Sequence, residues 1–597
     1  MLSGGVIVDK EFKDILKDAK KDNIESKIVV AEKYEEEGKY KDAFRWYLEA
    51  ANDEQPNAQL KVGDYYFNGI GVKQDLLKAC YWYKKSADYD NAEAVCKLAN
   101  AYKEGLGIEQ DLDKAFSLYS KAASLGNTEA KYNLGVMYRN AIGVEKDDEK
   151  SFYWFNEASN EEHINAKVNL GYCYCNGIGT EIDEKKGVSL YKECADEENV
   201  TALFNLGMCY KSGYGVEEDI EMAVTCFEEA GKRGHGRSLY ELGSIFESEG
   251  EYRKNLGFAV DCYQRAVNSG YLEAAIRLFE IYVEKGEEKK ALQWLEKSID
   301  NKEVQFTLGK YYFDLEDNKN NHVKALKYFS EAAKNGHSLA QYYMGVAYLK
   351  GYGVNEDEER AIECLRISCD NNCLEAILLL SKLYDEKENE ETKQLLEQAA
   401  NLGDSASMYK LGYNYAHGKY CEKDMEKAVY WYQNAADLDN AQAQCNLALC
   451  YLNGNGIEKN LGFGVYWLER AVDNNSITAT LNLGYCYESG IGVEKNEYIA
   501  LKHYLKAANN DNVEAQLACA RLYKTSDSNQ SIYWYSKAIG KKPDEAYIGL
   551  IDVYLSENVV DDEKVKMLLD SVSNKDSKAY KEVETKYQKR IEERASI

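Results

Sequence analysis

The apolar and polar positions of this chain fall into one unit that recurs along its length. The segment 128–140 (TEAKYNLGVMYRN) places Ala130, Leu134, Met137 and Tyr138 at i, i+4, i+7 and i+8, one face of an amphipathic helix. A second helical pattern begins near Asp147, where Ser151, Trp154, Phe155 and Ala158 follow i, i+3, i+4, i+7 spacing. The two faces predict a helix pair, A and B, each covering the other. Paired glycines such as Gly69/Gly71, Gly105/Gly107, Gly177/Gly179, Gly213/Gly215, Gly351/Gly353, Gly454/Gly456 and Gly490/Gly492 supply the positive φ that ends helix A. Helix B then opens at Asp75, Asp111, Asp147, Asp183, Asp219, Asp357 or Asp424, or at Asn460 or Asn496. These residue types accept a bond from the free N–H groups of a helix start.

The strongest register mark is a small residue after an apolar one. Gly63, Ala99, Gly135, Gly171, Gly207 and Gly243 lie 36 residues apart, and the mark resumes at Gly309, Gly345, Gly412, Ala448 and Gly484. An aromatic follows three residues later each time, from Tyr66 to Tyr487. A unit that cannot bury its face alone is stabilised by stacking on copies of itself. The pattern therefore predicts an all-α solenoid of about sixteen helix-turn-helix repeats with a long concave wall.

The stretch NLGVMYRNAIGVEKDDEKSFYWFNEAS (133–159) resembles a Sel1-like repeat, the tetratricopeptide relative with a longer glycine-containing loop between its helices. The resemblance covers most of residues 26–576 and implies a right-handed superhelix. Residues 26–55, 271–301, 373–403 and 512–542 lack the GxGV loop and read as shorter, tetratricopeptide-like hairpins, where curvature is expected to change. The expected order is a capping segment (1–25), a short hairpin (26–55), Sel1-like repeats (56–270), a short hairpin (271–301), repeats (302–372), a short hairpin (373–403) and repeats (404–511). Short and degenerate hairpins (512–576) and a charged capping helix (577–597) complete it.

Composition narrows the function classes. A chain of 597 residues exceeds one ordinary core, as a repeat array allows, and its only two prolines, Pro56 and Pro543, stand at expected repeat starts. The formal charge of −28 opposes nucleic acid and anionic membrane, and no Lys/Arg cluster offsets it. No apolar run is long enough to span a bilayer, and the opening MLSGGVIVDKEFKD has no signal-peptide core. A cytoplasmic protein without membrane insertion is expected, with export by a signal-less route left open. Among the 16 cysteines there is no CxxC pair, and Cys173/Cys175 and Cys369/Cys373 fit no zinc or redox spacing. Cys173, Cys209, Cys450 and Cys486 share one repeat position held elsewhere by Met137, Ile245 and Ala347, and so read as small buried hydrophobes.

Catalytic patterns are sparse. His163, His235 and His337 open repeats in turns, and His322, His417 and His503 join no HExxH or His/Asp/Glu cluster, so neither metal nor cofactor is expected. The GxGxxxD look of the inter-helix loop follows no strand and recurs in most repeats, which makes it structural. Some disulfide-rich bacterial Sel1-like proteins are linked to penicillin binding. An SxxK does occur at Ser189–Lys192, but with no SDN or KTG element. Cys194 and Cys369, at the ends of B helices, meet Thr201 and Ala376 where that branch has a second cysteine.

The candidate site is a polar stripe. Asn133, Asn169, Asn205, Asn446 and Asn482 each precede the register mark by two residues, off the expected core face, and Asn140 shares the stripe with Asn133 at i+7. In the resembling tetratricopeptide folds helix A lines the concave wall, and an equivalent Asn grips an extended peptide backbone through its amide. Solvation, or a bond to the neighbouring repeat, is the alternative reading. Lys103, Arg139 and Lys211, four residues after the mark, offer charge to a carboxylate, whereas the overall acidity points to basic partner segments. Trp82, Trp154, Trp431 and Trp467 fill one helix-B slot and read as core. The expected function is a non-enzymatic scaffold or adaptor for a protein or peptide. A Sel1-type regulatory or quality-control component of a larger complex is the alternative, and a hydrolase comes third.

Overall fold

A computed structural model describes residues 4–248, 255–315, 319–556 and 561–595. The first three residues of the expected N-terminal cap and the last two of the C-terminal one therefore lie outside the described residues. Thirty-four α-helices, and no strand, occur among the described residues. None of these helices is long and apolar enough to cross a membrane. The chain is an all-α repeat solenoid that divides into two compact units, Met1–Ile299 and Asp300–Ile597.

One repeat shows how the sequence makes the unit. Asn127 accepts the Ala130 N–H at 2.8 Å and starts helix A, Thr128–Asn140. Ala141 ends it in the left-handed region, φ 54°, where the corresponding residue is glycine in Gly69, Gly105, Gly177, Gly213, Gly351, Gly454 and Gly490. Asp147 then accepts the Lys150 N–H at 2.9 Å and starts helix B, Asp148–Asn160. All nine expected Asp and Asn caps of helix B make this bond.

The register mark is a packing constraint. A Cβ on Gly135 would lie 2.6 Å from the Phe155 ring, so the absence of a side chain lets the buried ring of helix B rest on the backbone of helix A. Ser151 ties the same place, donating its hydroxyl to the Gly135 carbonyl at 2.8 Å. The second loop glycine joins neighbouring repeats. A Cβ on Gly143 would stand 2.5 Å from the carbonyl oxygen of Leu112, at the start of the previous helix B. That loop is thus pressed onto the repeat before it.

Within the first unit, helix Gly4–Ala19 packs on Ile24–Glu36, and apolar clusters run on from repeat to repeat. Helices Ala274–Glu284 and Glu288–Lys297 are joined by three residues, against seven between Asn140 and Asp148. Within the second unit, Leu374–Glu386 and Glu391–Asn401, and likewise Val513–Tyr523 and Ser528–Ala538, are joined by four. The paired-glycine turn has no room in such connections. The last helix, Lys578–Ala595, buries Tyr580, Val583 and Tyr587 against Leu550, Ile551 and Leu569.

Candidate functional site on the A helices

The stripe residues sit at the seam between successive A helices. Asn133 is 7% exposed rather than off the core, because its amide donates to the Glu129 carbonyl at 2.9 Å and to the Glu129 carboxylate at 3.1 Å. That carboxylate also meets His163 Nε2 at 3.0 Å. His163 Nδ1 accepts the Ala166 N–H and caps a helix, which leaves the ring proton on Nε2 to donate. The His163 bond, with the Asn133 bond added, holds the Glu129 carboxyl below the usual carboxylate range.

Arg139 and Asn169 form the next stitch, Nη1 donating to Oδ1 at 2.8 Å, while the guanidinium lies 4.4 Å over the Tyr172 ring. Asn169 also donates to the Asn165 carbonyl at 2.8 Å. Lys211 pairs with Glu241 at 2.7 Å, and Arg277 donates through Nε to Glu247 at 2.9 Å. In the second unit Asn446 is half-buried, and Asn482 donates to Cys445 Sγ at 3.7 Å. Lys103 pairs with its neighbour Glu104 at 3.0 Å, Asn205 is half-buried, and Asn140 is exposed. Arg139, Lys211, Arg277 and Asn482 thus hold one A helix to the next, whereas Asn133 and Lys103 bond within their own helices.

Beside this seam the tyrosine that follows the register glycine is exposed in three repeats, at Tyr172 in the first unit and at Tyr413 and Tyr485 in the second. On the B helices a different pattern recurs. Tyr81, Tyr153, Tyr430, Tyr466 and Tyr533 are exposed, each edge-on to the tryptophan after it at 5.0–5.3 Å between ring centres. The sequence signal was a repeated Tyr-Trp dipeptide. Of the four tryptophans read as core, Trp467 is buried, whereas Trp82, Trp154 and Trp431 are half-buried at the edge of that face.

The histidines and cysteines have structural roles. His235 and His337 cap helices as His163 does, through the Ser238 and Ala340 N–H groups. All sixteen cysteines are free, and the four at the shared repeat position are buried as small hydrophobes. Burial pushes the Cys173, Cys450 and Cys486 thiols up to about 11. No cluster of three or more His, Cys, Asp or Glu among the described residues is placed to hold a metal ion. Ser189 is exposed, and the Lys192 ammonium rests 5.5 Å from the Tyr210 ring.

The Sel1 repeat family model matches the chain fifteen times, at residues 38–53, 56–89, 92–127, 128–163, 164–199, 200–235, 236–271, 273–303, 302–337, 338–373, 384–404, 405–440, 441–476, 477–512 and 514–541. The chain belongs to the Sel1 repeat family. Its seam is therefore a Sel1 seam, built where one repeat's helix A meets the next. A comparison with curated proteins finds no match. Among solved structures, this Sel1 repeat chain resembles a protective antigen of uropathogenic Escherichia coli strains displaying an SLR fold. The identity is 22% and the TM-score 0.41, over 86% of this chain and 98% of that one. It also resembles a Sel1 repeat protein from Oxalobacter formigenes, at 24% identity and a TM-score of 0.39, over 40% of this chain and 96% of that one. At these values the likeness says nothing of function.

Proposed function

We propose that this chain is a non-enzymatic scaffold that holds an extended protein segment along its A helices. The observation that carries the reading is the recurrence of an exposed tyrosine in one register, Tyr172, Tyr413 and Tyr485, beside a polar seam that fixes the surface around it. Tyr172 lies under the Arg139 guanidinium and Tyr413 stacks on His417 at 4.0 Å, yet each ring, like that of Tyr485, keeps a large part of its surface open to a partner. A ring with a polar tip gives a partner large contact area at small entropic cost. Sel1 repeats as a family mediate protein–protein interaction, which favours the same conclusion.

In this reading the Asn stripe orders the surface, and Asn140, the exposed member, offers its amide to a peptide backbone. The test is affinity capture with the intact chain at low salt, compared with the Tyr172→Ser/Tyr413→Ser/Tyr485→Ser variant and with Asn133→Ala/Asn169→Ala/Asn205→Ala. Specific partners lost in the tyrosine variant, with helicity retained, support the scaffold. Capture of nothing, or capture indifferent to the tyrosines, counts against it.

A further inference from the structure

A cavity of about 220 Å³ lies in the first unit where two B helices end, lined by Gln59, Glu54, Tyr81, Asp88 and Tyr89 among others, with Lys85 as its one cation among the described residues. Its floor is Gln59, only 2% exposed, whose Nε2 donates to the Ala51 carbonyl at 3.2 Å and whose Oε1 has no partner. A buried amide oxygen without a donor costs about 1–3 kcal/mol. Other repeats show what that position takes. Gln305 and Gln444 stand at the same place, four residues after a helix-A cap, and their Oε1 atoms accept from Asn335 and Asn474, each at 3.0 Å. The residue that should supply this amide to Gln59 is Tyr89, and its hydroxyl donates instead to Glu54 at 2.8 Å.

A second stitch is missing at the same place. Lys121 and Arg470 reach back to Asp90 and Asp439 at 2.6 and 2.8 Å, each acid holding a positive φ just before a helix-A cap. Their counterparts are Lys85 and Glu54, but the Lys85 ammonium lies over the Tyr81 ring at 5.9 Å. Glu54 is left with the Tyr89 hydroxyl. Helices Tyr40–Asn52 and Leu76–Ala87 both end here, and the negative ends of their dipoles add to the Glu54 and Asp88 charges. Trp82, also in the lining, supplies a π face edge-on to Tyr81 at 5.3 Å, while the Tyr81 face is taken by Lys85. The net charge of −28 draws cations toward the whole surface.

We infer that this cavity binds a protonated nitrogen group, the guanidinium or ammonium of an Arg or Lys side chain on a partner chain. The N–H group takes the role that Asn335 and Asn474 play elsewhere, and the charge meets Glu54 and Asp88. The site extends the scaffold reading to the B-helix ends, away from Tyr172, Tyr413 and Tyr485.

The test is fluorescence anisotropy with the intact chain at low salt and a labelled capped peptide, Gly-Gly-Arg-Gly-Gly, beside its twin carrying neutral citrulline. The Arg peptide is expected to bind about ten-fold more tightly than the twin. That preference should vanish in Glu54→Gln/Asp88→Asn, whose exposed side chains leave helicity unchanged. It should also vanish in Tyr89→Asn, which restores an amide donor and closes the cavity from within. Equal binding of the twins, or a preference that survives both variants, overturns the assignment. Spermidine displacing the peptide at lower concentration than an unlabelled Arg peptide, with the same dependence on Glu54 and Asp88, overturns the partner-chain source and assigns a free polyamine. A failure here leaves capture through the A-helix tyrosines to be read separately.

Discussion

The guanidinium of Arg139 donates to the side-chain oxygen of Asn169 at 2.8 Å, which binds one repeat to the next through residues 30 positions apart. Asn169→Ala should lower stability by about 1.5–3 kcal/mol, the net worth of a hydrogen bond to a charged donor. Urea unfolding of Arg139→Ala, Asn169→Ala and the double variant would show coupling between the sites. Additive effects would place the two residues outside one interaction.

The inter-helix loop makes two opposite expectations. Ala141 pays strain at φ 54°, so Ala141→Gly should raise stability by about 1 kcal/mol. Gly143→Ala adds a Cβ against the Leu112 carbonyl at a positive φ, and should cost about 2–4 kcal/mol. The same unfolding measurement reads both.

Acid should weaken the cap at His235. Burial, with Arg237 nearby, lowers the pKa of this imidazole, and its Nδ1 accepts the Ser238 N–H only when unprotonated. A folded-state pKa below the unfolded one means that the unfolded chain takes up the proton first as pH falls. The contribution is complete above an unfolded pKa of about 6.5 and is lost as pH drops through the folded value. The half-buried His503 is shifted in the same direction, by burial with Lys506 and Lys502 nearby. His235→Asn, which keeps a cap, should therefore lose less stability than the parent chain between about pH 7.5 and pH 5, read by urea midpoints.

Thiol chemistry should report the packing. Fifteen of the sixteen cysteines are buried, and Cys421 is half-buried. An aromatic disulfide reagent should find one fast thiol in the native chain, removed by Cys421→Ser, and the rest only after unfolding.

Much of this fold was legible because it rests on identities that must recur. A ring of helix B needs a bare backbone at Gly135, and a helix start needs the Asp147 oxygen, so both repeat at fixed spacing. The stitches between repeats do not recur in kind. The same seam is closed by Arg139 with Asn169, by Lys211 with Glu241 and by Asn482 with Cys445, pairings that no periodicity encodes. The stripe was therefore visible as a position but not as a bond. Asn133 looked solvent-facing because its partners, Glu129 and through it His163, come from the turn chemistry of two repeats. The exposed rings were present in the sequence as Tyr-Trp dipeptides and as tyrosine after the register glycine. Among 50 tyrosines, only burial separated them from packing residues.

Hydrogen exchange on the intact chain, free and loaded with a partner captured through the tyrosine-dependent route, tests the scaffold most directly. Peptides from the A helices Ile164–Asn176, Ser405–His417 and Ile477–Ser489, which carry Tyr172, Tyr413 and Tyr485, should exchange more slowly in the complex. Protection confined to the B helices, or unchanged exchange throughout, would contradict a partner held along the A helices.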